Sequence, residues 1–290
     1  MPDNQYLSKN RFSTPKPLHF LVAFHGEGKA LIEHLSLKKD LSNNEFPAFV
    51  GENAVVGVTG VGRVNAALVT ALCIERYGSP ETLVINLGIC GSASLPHGTI
   101  CSVVKVHDRE ARTTYFPEPL VRSNFFEATL ETHSQPVTDV GDLIAPDNIV
   151  DMEASGVLTA AYRFFDTSQV QIVKIVSDAL SDRFLQRSEL EELFQSHTEA
   201  ILRLTESLQE ILTPDEPLLS DADEKLLKSI SERLRLTHQQ QFQLRQEATR
   251  SSIRLQRVLT AIELPAFERP RDKREAKKFF QEVLDVLAAP

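Results

Sequence analysis

Residues 53–78 read NAVVGVTGVGRVNAALVTALCIERYG, and their reading decides the fold. A valine-rich run comes first, a turn follows at Gly60 and Gly62, and then Ala66, Ala67, Thr70, Ala71 and Ile74 recur on one side of a helix. Glycine supplies the backbone freedom that so tight a turn needs. Strand, turn and helix in that order form the repeating unit of a layered α/β protein.

The neighbouring segments follow the same scheme. LHFLVAF (18–24) is an apolar run that leads through HGEG into KALIEHL, a helix by the spacing of Ala30, Leu31 and Leu35. TLVINLGICGSA (82–93), TICSVVKVHD (99–108) and QVQIVKIVSDAL (169–180) are further apolar strands that end in glycines or polar residues. Strands that are apolar on both faces predict a largely parallel sheet covered by helices. Residues 188–212 place Leu190, Leu193, Phe194, Ile201, Leu204, Leu208 and Ile211 at steps of three and four, a closing amphipathic helix.

Beyond that helix the composition changes. A proline- and acid-rich stretch at 213–222 predicts a linker, and 223–290 is rich in Gln, Arg and Leu with no strand signal. Helices are expected near 223–235, 238–262 and 272–288, with Thr237 and Gln240 spaced for a capping box. Residues 1–17 are polar and are expected to be a flexible leading segment.

The 290 residues carry a net charge of −9, unevenly spread: residues 221–290 are net positive and the preceding part holds the acidic excess. So acidic a body does not attract a phosphate backbone, which makes nucleic acid an unlikely partner. Arg250, Arg254 and Arg257 could be set on a helix-turn-helix, but a solvated basic face is the expected reading, with the C-terminal helices serving as a cap or as a docking module for a protein partner. No run of 18 apolar residues and no signal-peptide core occurs, so a cytoplasmic protein without a membrane span is expected. Cys73, Cys90 and Cys101 lack paired spacing and read as buried reduced thiols. The eight histidines form no metal-ligand motif, so no metal and no cofactor is expected.

In such a sheet, ligands bind beyond the carboxyl ends of the strands. The distinctive residues fall there: Glu27, the turn of Gly60, Val61 and Gly62, the stretch from Gly88 through Ile89 and Cys90 to Gly91, and Ser177 with Asp178. Asp178 alone reads as a helix cap, Glu27 as a first-turn acid, Cys90 as packing and His25 as a solvated loop histidine. Glu153 in VDMEASG (150–156) is different: on a helix its face continues through Val157, Ala160, Ala161 and Phe164, so its carboxylate is expected to point inward. Three acids at loop ends suggest glycosidic chemistry, in which one carboxyl group gives a proton and another handles water.

VDMEASG followed by VKIVSDAL (173–180) resembles the M-E and S-D pair of the nucleoside phosphorylase and nucleosidase superfamily, especially its methylthioadenosine/S-adenosylhomocysteine nucleosidase branch. VTGVGRVNAA (58–67), VINLGICGSASLPHGTI (84–100) and AFHGEGKALIEHL (23–35) resemble further family segments, in the family's order, over 18–212. The resemblance implies a three-layer αβα phosphorylase/hydrolase-like fold and homo-oligomers. It implies that Glu153 holds the ribose hydroxyls, Met152 lines the sugar, Asp178 steadied by Ser177 protonates the leaving purine, and Glu27 orients or deprotonates water. Val61, Ile89, Cys90 and Gly91 would line the substrate, and Ile144, with Leu143 and Ala145, the base; Tyr115 and Phe116 are further candidates for that wall.

The sequence also departs from the family. Asn86 and Ile89 stand where phosphorylases keep an arginine and a hydroxyl residue, which favours water as acceptor and a purine nucleosidase acting on, for example, a 5′-modified adenosine. Lys29 and Arg63 remain anion candidates, so a phosphorylase stays open. G-I-C-G is closer to the turn of futalosine hydrolases, Lys174 replaces a common arginine, and the segment before VDMEASG is short. A nucleoside-binding regulatory protein without turnover is the third reading.

Overall fold

The computed structural model describes residues 17–121, 123–180, 185–212, 219–255 and 270–288. They fall into two compact units divided between Leu212 and Thr213.

The first unit is built on a ten-stranded sheet. Its elements are β1 (Leu18–Val22), α1 (His25–His34), β2 (Lys38–Lys39), β3 (Ala48–Val50), β4 (Ala54–Val58), α2 (Arg63–Tyr77), β5 (Leu83–Ser92), β6 (Ile100–Asp108), β7 (Thr113–Tyr115), β8 (Phe126–Thr132), β9 (Ile149–Asp151), α3 (Ala154–Ala161), β10 (Val170–Asp178) and α4 (Arg187–Leu212). The strand order is β10-β6-β8-β9-β5-β1-β4-β3-β2, with β7 on β6. β10 also pairs with β5, so β5, β10, β6, β8 and β9 close a circuit from which β1, β4, β3 and β2 extend as a wing.

The expectation of a largely parallel sheet is corrected. The pairings β1–β4, β1–β5, β5–β10, β6–β8 and β8–β9 are parallel, whereas β2–β3, β3–β4, β5–β9, β6–β7 and β6–β10 are antiparallel. Apolar runs report burial and not direction. Direction follows the connections: the short links β3–β4 and β6–β7 are hairpins, because a parallel return needs about a dozen residues or more.

Phe20, Val22, Val56, Ile85 and Leu87 form the sheet side of a core that α4 closes with Leu193, Phe194, Ile201 and Leu208. Ile211, expected on the same stripe, is 58% exposed, so the apolar face ends near Leu208. On α2 the buried residues are Ala66, Val69, Thr70, Cys73 and Ile74, the helical spacing expected of it. Gly60 (φ 74) and Gly62 (φ 99) make the turn into this helix in the left-handed region.

The second unit contains α5 (Asp221–Leu234), α6 (His238–Leu255) and α7 (Lys273–Ala288). Leu227, Ile230, Leu234, Leu244, Ala248, Phe280, Val283 and Leu287 make its own core. Gln240 N–H donates to Thr237 Oγ1 at 3.3 Å and Thr237 N–H to Gln240 Oε1 at 2.9 Å, the expected capping box. The expected helix beyond Leu255, and Arg257 within it, lie outside the described residues, as does the side chain of Arg254. Arg250 pairs with Glu247 on the helix surface. No helix among the described residues is long and apolar enough to cross a membrane.

Candidate active site

The carboxyl ends of β1, β4, β5 and β10 meet where four charged side chains are buried. Glu27 is 1% exposed at the third position of α1. Its Oε2 accepts the N–H groups of Ala23 (2.7 Å) and Phe24 (2.9 Å), and Oε1 accepts that of Ile89 (3.0 Å). The first-turn role read for this acid is therefore real, and the carboxylate reaches across to β5 as well. Burial raises its pKa above the usual carboxylate range against the pull of those N–H groups and of Lys174.

Glu153 does not lie within a helix, as the face through Phe164 had implied. It is the N-cap of α3 (φ −124°, ψ −37°), and α3 ends at Ala161, short of Phe164. The carboxylate of Asp151 accepts the Ala154 N–H at 2.8 Å, which satisfies the first backbone donor of the helix. Glu153 nevertheless points inward: it is 8% exposed and its Oε1 accepts the Gly62 N–H at 2.8 Å. Gly156 makes this approach possible, since a Cβ there would stand 2.1 Å from the Arg63 carbonyl oxygen. Burial, reinforced by the neighbouring Asp151 charge, pushes the Glu153 carboxyl up to about 7.

Between the acids lies Lys174, 1% exposed, its Nζ 2.8 Å from Asp151 Oδ2. Asp151 also accepts the Thr132 hydroxyl at 2.7 Å. Burial opposes the Lys174 ammonium, yet Asp151, Glu153 and Glu27 outweigh it and hold its pKa above the lysine range. Gly88 leaves room for the cluster: a Cβ on it would be 3.1 Å from Lys174 Nζ and 3.3 Å from Glu27 Oε1. Lys174 and Asp151 are the residues that sequence reasoning passed over. The signal was there: a lone ammonium inside an apolar strand needs a buried partner, and VDMEASG offers a second acid beside Glu153.

Asp178 stands at the other end of the same strand pair. Lys174 is in register with Gly88 and Asp178 with Gly91, three residues on, or roughly 10 Å along a strand. Ser177 Oγ donates to Asp178 Oδ2 at 2.7 Å, and Asp178 is half-buried. Ser177 and Asp178 open on a cavity of about 650 Å³ whose other walls include His97, Gly98, Leu185, Glu189, Leu193 and His197. Glu27 and Glu153 do not line it, so the structure groups these two acids around Lys174 and leaves Asp178 separate, facing the cavity.

The remaining candidates are dispersed. Met152 and Ile89 are half-buried, Val61 is exposed, and Gly91 faces Asp178. Cys90 is buried and hydrogen-bonded to Cys101; burial raises its pKa well above the thiol range. Ile144 is 54% exposed and donates its N–H to Glu131 at 2.7 Å, so it is held at the β8 end and not at the cavity wall. Tyr115 bonds Thr159, and Phe116 is exposed. His25 is not the solvated loop residue expected: it opens α1 with its ring 5.1 Å from that of Phe49. Lys29 pairs with Glu191 at 2.6 Å and Arg63 with Asp108 at 3.2 Å. Among the described residues no group of three His, Cys, Asp or Glu could hold a metal ion.

No protein-family model and no curated protein matches the chain. Solved structures do. A 5′-methylthioadenosine/S-adenosylhomocysteine nucleosidase from Campylobacter jejuni superposes with TM-score 0.56 at 14% identity, over 66% of this chain and 99% of that one. The Colwellia psychrerythraea nucleosidase solved with adenine gives 0.56 at 19% identity, over 67% and 96%. A futalosine hydrolase mutant from Helicobacter pylori gives 0.54 at 15% identity, over 66% and 99%. The first unit thus has the fold of these nucleosidases and of the futalosine hydrolase.

Proposed function

We propose that the protein is a nucleosidase that hydrolyses the N-glycosidic bond of a purine nucleoside, a 5′-modified adenosine being the finer expectation. One observation carries this reading: two buried carboxylates, Glu27 and Glu153, share an ion-pair cluster at one end of the β5–β10 pair, and Asp178 stands roughly 10 Å along it. A nucleoside can bridge that separation, sugar at the cluster and base at Asp178.

In this scheme the bond from C1′ to the base breaks with its electron pair leaving on the base, and Asp178 delivers the proton that neutralises it. Such a transfer contributes on the order of 10² to 10⁴ in rate. Ser177 fixes one oxygen of that acid. Glu153 would accept the ribose hydroxyls beside its Gly62 contact. Water attacks C1′ and loses a proton towards Glu27, a carboxyl whose burial favours taking one.

Water rather than phosphate is the acceptor in this reading, because Lys29 and Arg63 are already neutralised by Glu191 and Asp108. A non-catalytic nucleoside-binding protein is the second reading. It is favoured by Glu27, whose oxygens hold three backbone N–H groups as a purely structural acid would. Incubation with adenosine and a 5′-alkylthioadenosine, with and without phosphate, separates the cases by free-base release. Release independent of phosphate is expected. Release only with phosphate would mean phosphorolysis, and thermal stabilisation by nucleoside without release would mean binding alone.

Self-association belongs to the same reading. Val61, Val64 and Leu68 form an exposed apolar stripe at the start of α2, and light scattering that gave a monomer mass would remove this element. Among the described side chains of the C-terminal helices, in 219–252 and 270–288, no large apolar residue is exposed, so a protein partner meeting that part would meet a polar surface.

A further inference from the structure

The strand carrying the proposed acid loses its regular partners at its carboxyl end. Its last pair with β6 is Ile175 with Ile100, and its register against β5 slips between Val176 and Asp178. Irregularities of this kind gather beside active sites. A turn takes over from β6 at this point. Val176 N–H donates to the Thr99 carbonyl oxygen at 3.0 Å, and Gly98 N–H donates to the Val176 carbonyl oxygen at 2.8 Å. The turn thus holds the residue that leads directly into Ser177 and Asp178.

Little packing holds the turn itself. Pro96 and His97 are exposed, and a Cβ on Gly98 (φ 81°) would meet nothing within 4 Å. Thr99 closes the turn from within, its hydroxyl donating to the Pro96 carbonyl oxygen at 2.7 Å. From outside comes His197, whose Nε2 lies 2.9 Å from the Gly98 carbonyl oxygen. His197 stands on α4 where the stripe of Leu190, Phe194, Ile201, Leu204 and Leu208 calls for an apolar residue, and a polar ring there needs partners. Its Nδ1 lies 2.9 Å from Ser196 Oγ and from the Leu193 carbonyl oxygen. With its proton on Nε2 the neutral ring donates to Gly98, and Nδ1 accepts the Ser196 hydroxyl. His197, Gly98, Ser177 and Asp178 line one cavity.

We infer that His197 is a positioning residue for the general acid: it ties α4, which the core anchors, to Gly98, and the turn so held fixes where β10 delivers Asp178 into the cavity. This rests on the nucleosidase reading above. Asp178 itself would touch substrate, whereas His197 acts through the turn.

Glutamine and asparagine separate the tie to Gly98 from the contacts within α4, because a Gln amide nitrogen reaches the place of Nε2 and an Asn amide only that of Nδ1. Each variant is assayed for kcat and KM of base release, for thermal midpoint and for amide hydrogen exchange in the 96–99 turn. His197→Ala and His197→Asn are expected to lose kcat by about tenfold to a hundredfold, the scale of a small misplacement, with KM within about twofold. Exchange in the turn should be faster in both. His197→Gln should restore most of kcat and the slow exchange. Wild-type kcat in His197→Ala, an Asn variant as active as the Gln variant, or a raised KM with kcat unchanged would overturn the inference and leave the nucleosidase reading standing. So would a kcat loss that merely tracks loss of folded protein. A wild-type protein that releases no base removes the reading, and this inference with it.

Discussion

The two ends of the β5–β10 pair differ in how they hold their acids. At the Gly88 end, Glu27, Asp151, Glu153 and Lys174 are buried and satisfied by one another and by backbone N–H groups. At the Gly91 end, Asp178 is half-buried beside an open cavity, held by a hydroxyl and by a strand irregularity. The first end is a prearranged charge cluster whose formation costs folding free energy. The second carries the acid that the proposed reaction would use as its proton donor. A site that must grip a sugar and release a base can use that asymmetry, because binding needs fixed acceptors and departure needs an open side.

The largest effect is expected where the asymmetry is broken at the open end. Asp178→Asn keeps shape but has no proton to give, so kcat should fall by about 10² to 10⁴ with the thermal midpoint nearly unchanged. Full activity in this variant would remove Asp178 from the mechanism and leave the buried end without a catalytic counterpart.

The same kind of change at the closed end should act on folding. Lys174→Met strands three carboxylates without their cation, and breaking a buried pair costs about 3–5 kcal/mol. Urea unfolding measures it; a loss below about 1 kcal/mol would show that the cluster is wetter than its burial suggests. Nucleoside affinity sharpens the contrast further. Because Glu153 has its pKa pushed up to about 7, it accepts ribose hydroxyls well only above that pH, so affinity should weaken as pH falls through 7. A flat affinity from pH 6 to 8 would argue that Glu153 does not carry the sugar.

Both ends stand on a core with a titration of its own. His19 in β1 is fully buried, and burial lowers its pKa to about 4. The fold keeps this imidazole neutral, so its stability contribution is complete above about 6.5 and is lost as pH falls towards 4, by roughly 3 kcal/mol in all. Denaturant midpoints at pH 7.5 and 4.5 should differ by more in the wild type than in His19→Leu. Equal differences would assign the acid sensitivity elsewhere.

Much of this was legible in the residues. Apolar runs ending in glycine or acid located β1, β5 and β10, with Glu27 just past the end of β1 and Asp178 at the end of β10, because burial and turn chemistry are local properties. Strand direction was not legible, since Ile149–Asp151 and Ile100–Asp108 read alike whether they run with or against β5 and β10. Nor was the partnership of Lys174 with Asp151, which lie 23 residues apart and meet only when β9 and β10 flank β5. Ile144, which the resemblance implied lines the base, is exposed and its backbone N–H is bound to Glu131, a contact between distant segments that no local pattern announces.

The smallest effect is expected at Lys29, and it bears on the acceptor. Its pair with Glu191 is partly exposed, at 39% and 21% for the two side chains, and solvent screens such pairs, so Lys29→Ala should leave the thermal midpoint nearly unchanged. If Lys29 were an anion ligand merely parked on Glu191, phosphate would compete for it and the wild-type rate would rise with phosphate, a rise the variant would lack. If the pair only joins α1 to α4, base release from the two proteins should be equally indifferent to phosphate. Indifference in both keeps water as the nucleophile and leaves the closed end of the site dependent on the buried Lys174 alone for its positive charge.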